Sequence, residues 1–439
     1  MNADPREIID RSAMSWLQVV AVIITIGLNA LDGFDVLSIS FASPGIAKEW
    51  GIDRAALGIV LSMELIGMAI GSVTVGGLAD RIGRRPTMLG CLVVMSIGMY
   101  LASFATSVAD LMLWRLLTGL GIGGMLATIN AVAAEYASLK RRNLCVSLMA
   151  IGYPIGAVLG GMIVAHLLKG SDWRAVFHFG AFVTVLFIPL VLLWVPESVA
   201  WLCQRPSAGA LHRVNRVLAR MGHSAVTALP APAGPAARRS ISDVLKPGLV
   251  GTTILITLVY FLHIMTFYFI LKWVPKIVVD MGFAPASAAG VLVWANVGGA
   301  TGGAIFGLLT RCIGLKTLTI GALVFSTVMV NVFGRGQADL QQLALICAVT
   351  GFFTNAGVVG LYALFAQVFP THVRATGTGF AIGFGRGGAA LAPIIAGFLF
   401  KAGQSLQVVS LLFGIGSLVA AGALMMLRTP APEEVPRDR

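Results

Sequence analysis

The stretch Gly76–Pro86, GGLADRIGRRP, sets one acid and three arginines (Asp80, Arg81, Arg84 and Arg85) between two long apolar runs. Charge this dense is tolerable only outside hydrocarbon, so the flanking runs read as consecutive membrane spans. The stretch returns in weaker form 231 residues later, where Gly76, Gly83 and Arg85 match Gly307, Gly314 and Lys316 without a gap. At an offset of 231 or 232, Pro44 also meets Pro275, Gly71 meets Gly302, Gly119 meets Gly351, Arg142 meets Arg374 and Gly156 meets Gly388. An echo at half the chain length marks a duplicated helical bundle. Duplicated bundles of this size are usually transporters, with the substrate held between the halves near the bilayer midplane.

Composition agrees. The 439 residues are 57% hydrophobic and only 11% charged, with a mean hydropathy of +0.88. Twelve apolar runs are long enough to cross a bilayer: 16–40, 55–79, 87–107, 110–134, 143–168, 174–195, 249–273, 285–309, 317–335, 340–366, 375–400 and 404–428. They are continuously apolar rather than alternating, which excludes a β-barrel. The fold expected is all-α and integral to the membrane, with 12 transmembrane helices in two pseudo-symmetric six-helix bundles. The divisions are an N-terminal bundle over 1–195, a polar cytoplasmic loop over 196–247 and a C-terminal bundle over 248–439. In the loop, Ala208 to Met221 reads as a helix and the Pro/Ala-rich run Leu229–Ala237 as linker. The 52 glycines suit close helix packing in lipid.

The net charge of +12 follows from topology. With both termini cytoplasmic, the inner loops and helix ends hold most of the 31 Lys and Arg. Only Arg115 and Arg386 are counted inside spans. Nothing here calls for nucleic acid. The first span is too long for a signal peptide. The five scattered cysteines have no metal-ligand spacing and read as packing residues.

Ionisable side chains inside a span are costly and point to function. Asp32 and Asp35, in NALDGFDV, are three residues apart and share a helix face, as a proton carrier requires. Glu64, mid-span, and Glu135, near the inner end of the fourth span, are further proton-coupling candidates. The alternative for each is an ion pair that holds the bundle together. Arg115 and Arg386 are candidates for gripping a substrate carboxylate. His263, Tyr260, Phe267 and Asn355 complete the expected binding set, with core or lipid-facing packing as the bland alternative. The charged turn (Gly76, Asp80, Arg81, Gly83, Arg84, Arg85), with Arg374 in the second half, reads as a surface latch whose bridges govern rocking of the halves. Its second copy has Arg311 where the first has Asp80. No metal site and no nucleophile–base set stands out, so an enzyme is not expected.

GGLADRIGRRP, WRLLTGLGIGG in the fourth span, PESVAWL after the sixth and the half-chain repeat together resemble the major facilitator superfamily over nearly the whole chain. Within it, LDGFD in the first span and VRATGTGFAIGFGR in the eleventh are similar to the aromatic acid:proton symporters. That resemblance implies alternating-access import of small aromatic carboxylates of the 4-hydroxybenzoate, protocatechuate or benzoate type. It also implies a bacterial inner membrane and the proton gradient in place of any cofactor; the two-bundle fold is complete as a monomer, the state expected. Family roles carry onto Asp32 and Asp35 (proton coupling), Asp80 and Arg84 (gating), Arg115, Glu135 and Arg386. The alternatives are a proton-antiport exporter, suggested by GYPIGAVLGG at Gly152–Gly161, and an importer of a non-aromatic organic acid. A receptor or scaffold would need a larger extramembrane domain than the central loop provides.

Overall fold

The computed structural model describes residues 4–204, 209–230, 244–370 and 373–427. Most of the expected linker run, with Arg238 and Arg239, lies outside them. Among the described residues there is no strand, and twelve helices are long and apolar enough to cross a membrane. The first bundle comprises α2 (Trp16–Trp50), α3 (Arg54–Ile82), α4 (Arg84–Ser103), α5 (Val108–Tyr136), α6 (Arg142–Leu167) and α7 (Arg174–Trp194). The second comprises α10 (Val250–Asp280), α11 (Pro285–Leu309), α12 (Leu315–Gly334), α13 (Leu340–Val368), α14 (Arg374–Lys401) and α15 (Leu406–Met426). The short α1 (Pro5–Arg11), α8 (Val199–Gln204) and α9 (Ala210–Arg220) lie on the face that carries the termini. Large apolar side chains such as Phe182, Leu193, Ile254 and Phe398 are exposed, as a lipid-facing surface requires.

The duplication is visible in packing. In each half the first helix packs on the fifth, the second on the fourth and the third on the sixth. The second–fourth crossing is close in both halves. A Cβ at Gly119 would strike the backbone of Glu64, and one at its repeat mate Gly351 would strike the backbone of Ala295, the mate of Glu64. Without side chains in the way, the helix backbones make van der Waals contact directly, the main attraction between helices in lipid.

Several helices run past their hydropathic limits. The helix expected over 16–40 continues to Trp50, where Ser38 and Ser43 turn their hydroxyls back onto the carbonyls of Asp35 and Ser40. α10 continues to Asp280, so Lys272 belongs inside a span. This corrects the expectation that Arg115 and Arg386 are the intramembrane cations. The Lys272 side chain is wholly buried; its charge depresses the local hydropathy although the helix does not end there.

The halves meet on the face opposite the termini. Gly58 of α3 lies against Pro393 and Gly397 of α14. Across the same seam Asp53 pairs with Lys401 at 2.9 Å and Arg54 with Asp280 at 3.0 Å, while within the second bundle Trp273 Nε1 donates to Pro393 O at 3.2 Å. Deeper in, Arg386 donates to Met68 O at 3.3 Å. Beyond that level α3 and α14 part: Val73 is 77% exposed, and Cβ atoms added at Gly77, Gly379 or Gly383 would meet nothing within 4 Å. The protein is therefore sealed on one face and open on the face of its termini.

Candidate functional site

Asp32 and Asp35 lie on α2 with both carboxylates fully buried. None of their four side-chain oxygens has a hydrogen-bond partner among the described residues. A buried carboxylate without hydrogen-bond partners is costly to keep ionised, which makes this pair the candidate for exchanging protons. Asp32 lies within the electrostatic reach of Asp35, Arg386 and Glu64, and Asp35 within that of Arg115 and Glu64.

Arg115 and Glu64 form an ion pair at 2.5 Å, both without solvent exposure. Arg115 is further occupied: it donates to Asp35 O and Met99 Sδ, each at 2.9 Å, and lies 5.3 Å from the centre of the Phe177 ring. Lys272 reaches the same Glu64 carboxylate from the other bundle at 3.5 Å and donates to Val36 O. Sequence reasoning missed this lysine because the hydropathic window closed one residue beyond it.

Between the bundles the walls are aromatic. Tyr153 of α6 and Tyr268 of α10 lie near each other, one from each bundle. Phe267 packs edge-on against Tyr268 at 5.4 Å. Arg386, partly exposed, lies within electrostatic reach of Tyr268 and Asp32. Tyr260 is buried behind it, its ring filling the space over Gly385 and its hydroxyl 3.1 Å from that of Tyr362. The structure thus brings Asp32, Asp35, Glu64, Arg115, Arg386 and Phe267 to one region.

Other candidates lie elsewhere. His263 is locked within the second bundle, with Nδ1 2.8 Å from Ser417 Oγ and Nε2 2.8 Å from Thr354 O. Asn355 donates to Gly299 O at 2.7 Å and so ties α13 to α11. Glu135 is at the open mouth, paired with Arg84 at 3.1 Å. Arg374 is exposed and donates to Phe369 O at 3.3 Å.

The charged turn is organised around Glu197, the acid of PESVAWL. Gly83 takes φ +114°, and a Cβ there would collide with the Glu197 carboxylate. Glu197 Oε1 accepts from the backbone N–H groups of Arg84 and Ser198, each at 2.9 Å, and of Arg85 at 3.5 Å. Burial pushes its carboxyl above the ordinary range, against the pull of those N–H groups. Arg84 also pairs with Asp80 at 2.5 Å. Arg81 is exposed and Gly76 half-buried near the end of α3. Arg85 donates to Leu192 O at the end of α7 at 2.5 Å. Its repeat mate Lys316 does the same to Met425 O and Leu427 O at the end of α15, at 3.0 and 2.7 Å. Both cap a helix C-terminus, where the last carbonyls favour a cation.

A match to the Major Facilitator Superfamily covers residues 25–330 and 256–439. The chain belongs to that superfamily. It is therefore a transporter and a multi-pass membrane protein, not an enzyme. Curated superfamily members resemble it along almost their whole length. The 3-(3-hydroxy-phenyl)propionate transporter of Escherichia coli is 30% identical over 414 residues, covering 92% of this chain and 94% of the relative. The gallate transporter of Pseudomonas putida is 28% identical, covering 96% and 94% respectively. The 4-hydroxybenzoate transporter PcaK of Pseudomonas putida is 29% identical, covering 97% and 96%. Among solved structures, the inward open xylose transporter XylE of E. coli superposes with a TM-score of 0.74 at 18% identity, covering 96% of this chain and 98% of that one. That likeness concerns the superfamily fold.

Proposed function

We propose that this protein imports small aromatic carboxylates of the 4-hydroxybenzoate, protocatechuate or benzoate type together with protons. The observation that carries the reading is the pair Asp32 and Asp35, buried and unpartnered beside the gap that Arg386 lines. The similar transporters named for hydroxylated aromatic acids support the substrate class. The aromatic walls Tyr153, Phe267 and Tyr268 suit a ring, and Arg386 suits its carboxylate.

Charge balance gives the reason for coupling. With both aspartates ionised, the interior balances three acids, Asp32, Asp35 and Glu64, against three cations, Arg115, Lys272 and Arg386. A substrate anion upsets this balance in low dielectric, and one proton on Asp32 or Asp35 restores it. Anion and proton therefore load together, the bundles rock, and both leave on the other side. The termini face is taken as cytoplasmic, from the placement of basic residues. The membrane is then the bacterial inner membrane, the present state is inward-open, and the monomer is the working unit. The proton gradient is the sole driving force, with no cofactor.

The test is uptake of labelled 4-hydroxybenzoate, protocatechuate, benzoate, vanillate, cis,cis-muconate and glucose into proteoliposomes, acidic outside, with and without protonophore. Accumulation of an aromatic acid that collapses with protonophore and with Asp32→Asn supports the reading. Proton-driven movement in the opposite direction, or transport of muconate alone, replaces it with the exporter or the non-aromatic importer.

A further inference from the structure

Lys272 differs from Arg115 in where its partners lie. It belongs to the second bundle, yet the groups that hold its ammonium, Val36 O and the Glu64 carboxylate, both belong to the first. Arg115 and Glu64, by contrast, sit on α5 and α3 of one bundle and move as a unit. Glu64 accepts no hydrogen bond of regular geometry among the described residues; charge alone holds it. When the sealed face opens, Arg115 keeps Glu64, whereas Lys272 loses both partners and is left on the wall of the newly opened cavity.

We propose that Lys272 is an exchangeable cation: it locks the sealed face through Glu64 and, once that face opens, receives the carboxylate of the incoming substrate. Glu64 then stands in for the substrate carboxylate in the present state. Reclosure returns Lys272 to Glu64 and leaves the substrate to Arg386, deeper in the gap. The charged groups around the bridge are Glu64, Arg115, Asp35, Asp32 and Arg386, from α3, α5, α2 and α14. The receiving half of the proposal rests on the importer reading; the lock half does not.

Two measurements separate them. Spin labels at Lys169→Cys and Ala338→Cys report the separation of the bundles on the sealed face, without any substrate. Cys312 is replaced, the other four native cysteines being buried. Lys272→Met is expected to lengthen that distance, Lys272→Arg to keep it short, and Glu64→Gln to lengthen it as a second route to the same break. Unchanged distances in folded Lys272→Met and Glu64→Gln protein overturn the lock. For the second measurement, benzoate transport is measured in vesicles of defined orientation. Lys272→Met is expected to raise KM by about tenfold or more at the sealed face, the loss of one charge-assisted hydrogen bond, and much less at the termini face. Equal KM changes at the two faces overturn the receiving role. If wild-type protein moves no aromatic acid, the importer reading falls, while the label distances still decide the lock.

Discussion

At the scale of single residues, buried charge decides behaviour. Asp32→Asn and Asp35→Asn remove carboxylates that no neighbour satisfies. Each is expected to reduce proton-driven accumulation to background while thermal stability in detergent holds or rises. Arg115→Gln acts oppositely: it leaves Glu64 buried beside only the more distant Lys272, at a cost of about 3–5 kcal/mol. The double change Glu64→Gln/Arg115→Gln should recover part of that loss, because no charge is stranded. Melting temperatures of the two singles and the double check this; strict additivity would mean that the two do not act as a pair. Asp32, Asp35, Glu64, Arg115 and Arg386 were legible in the sequence because charge inside an apolar run is conspicuous. Lys272 was not, because charge near the end of a run resembles the end itself. Glu197 was legible only as part of a motif, since nothing in a sequence shows that three backbone N–H groups converge on one carboxylate.

At the scale of elements, the half-chain echo was enough to give two bundles of six, because glycine and proline spacing records where helices touch. The same reading could not place His263 or Asn355. Their identity suggests a binding site, but their helix faces point into the second bundle, and a helix face is set by packing. Gly119→Val would place a side chain against the Glu64 backbone, and folded yield by fluorescence-detected gel filtration is expected to collapse. Gly77→Val, with no neighbour within 4 Å, serves as the tolerated control. The turn after α3 also carries a pH signature. The folded-state pKa of Glu197 is raised above its ordinary 4.5, so the folded protein holds its proton longer than the unfolded chain. Its contribution to stability is therefore greatest below pH 4.5 and declines as pH climbs through the raised value. Glu197→Gln should remove that decline, which a series of melting temperatures against pH would show.

At the scale of the whole molecule, the seal between the halves rests on helix contact more than on ion pairs. Asp53–Lys401 and Arg54–Asp280 are exposed to solvent, which screens such pairs and leaves them little weight. Neutralising either should change transport little, whereas a disulfide between Asp53→Cys and Lys401→Cys should stop uptake until reductant is added. Unimpaired uptake by the cross-linked protein would contradict a mechanism that needs this face to part. The equality of acids and cations in the interior has a further consequence. With both aspartates ionised, Asp32, Asp35 and Glu64 offset Arg115, Lys272 and Arg386, and the empty carrier would swing through the bilayer with no net charge in its core. On the proposed coupling, the carrier loaded with one anion and one proton would do the same. Membrane voltage then has no grip on either half of the cycle, and the protein would run silently under an electrode while the pH gradient alone sets its pace.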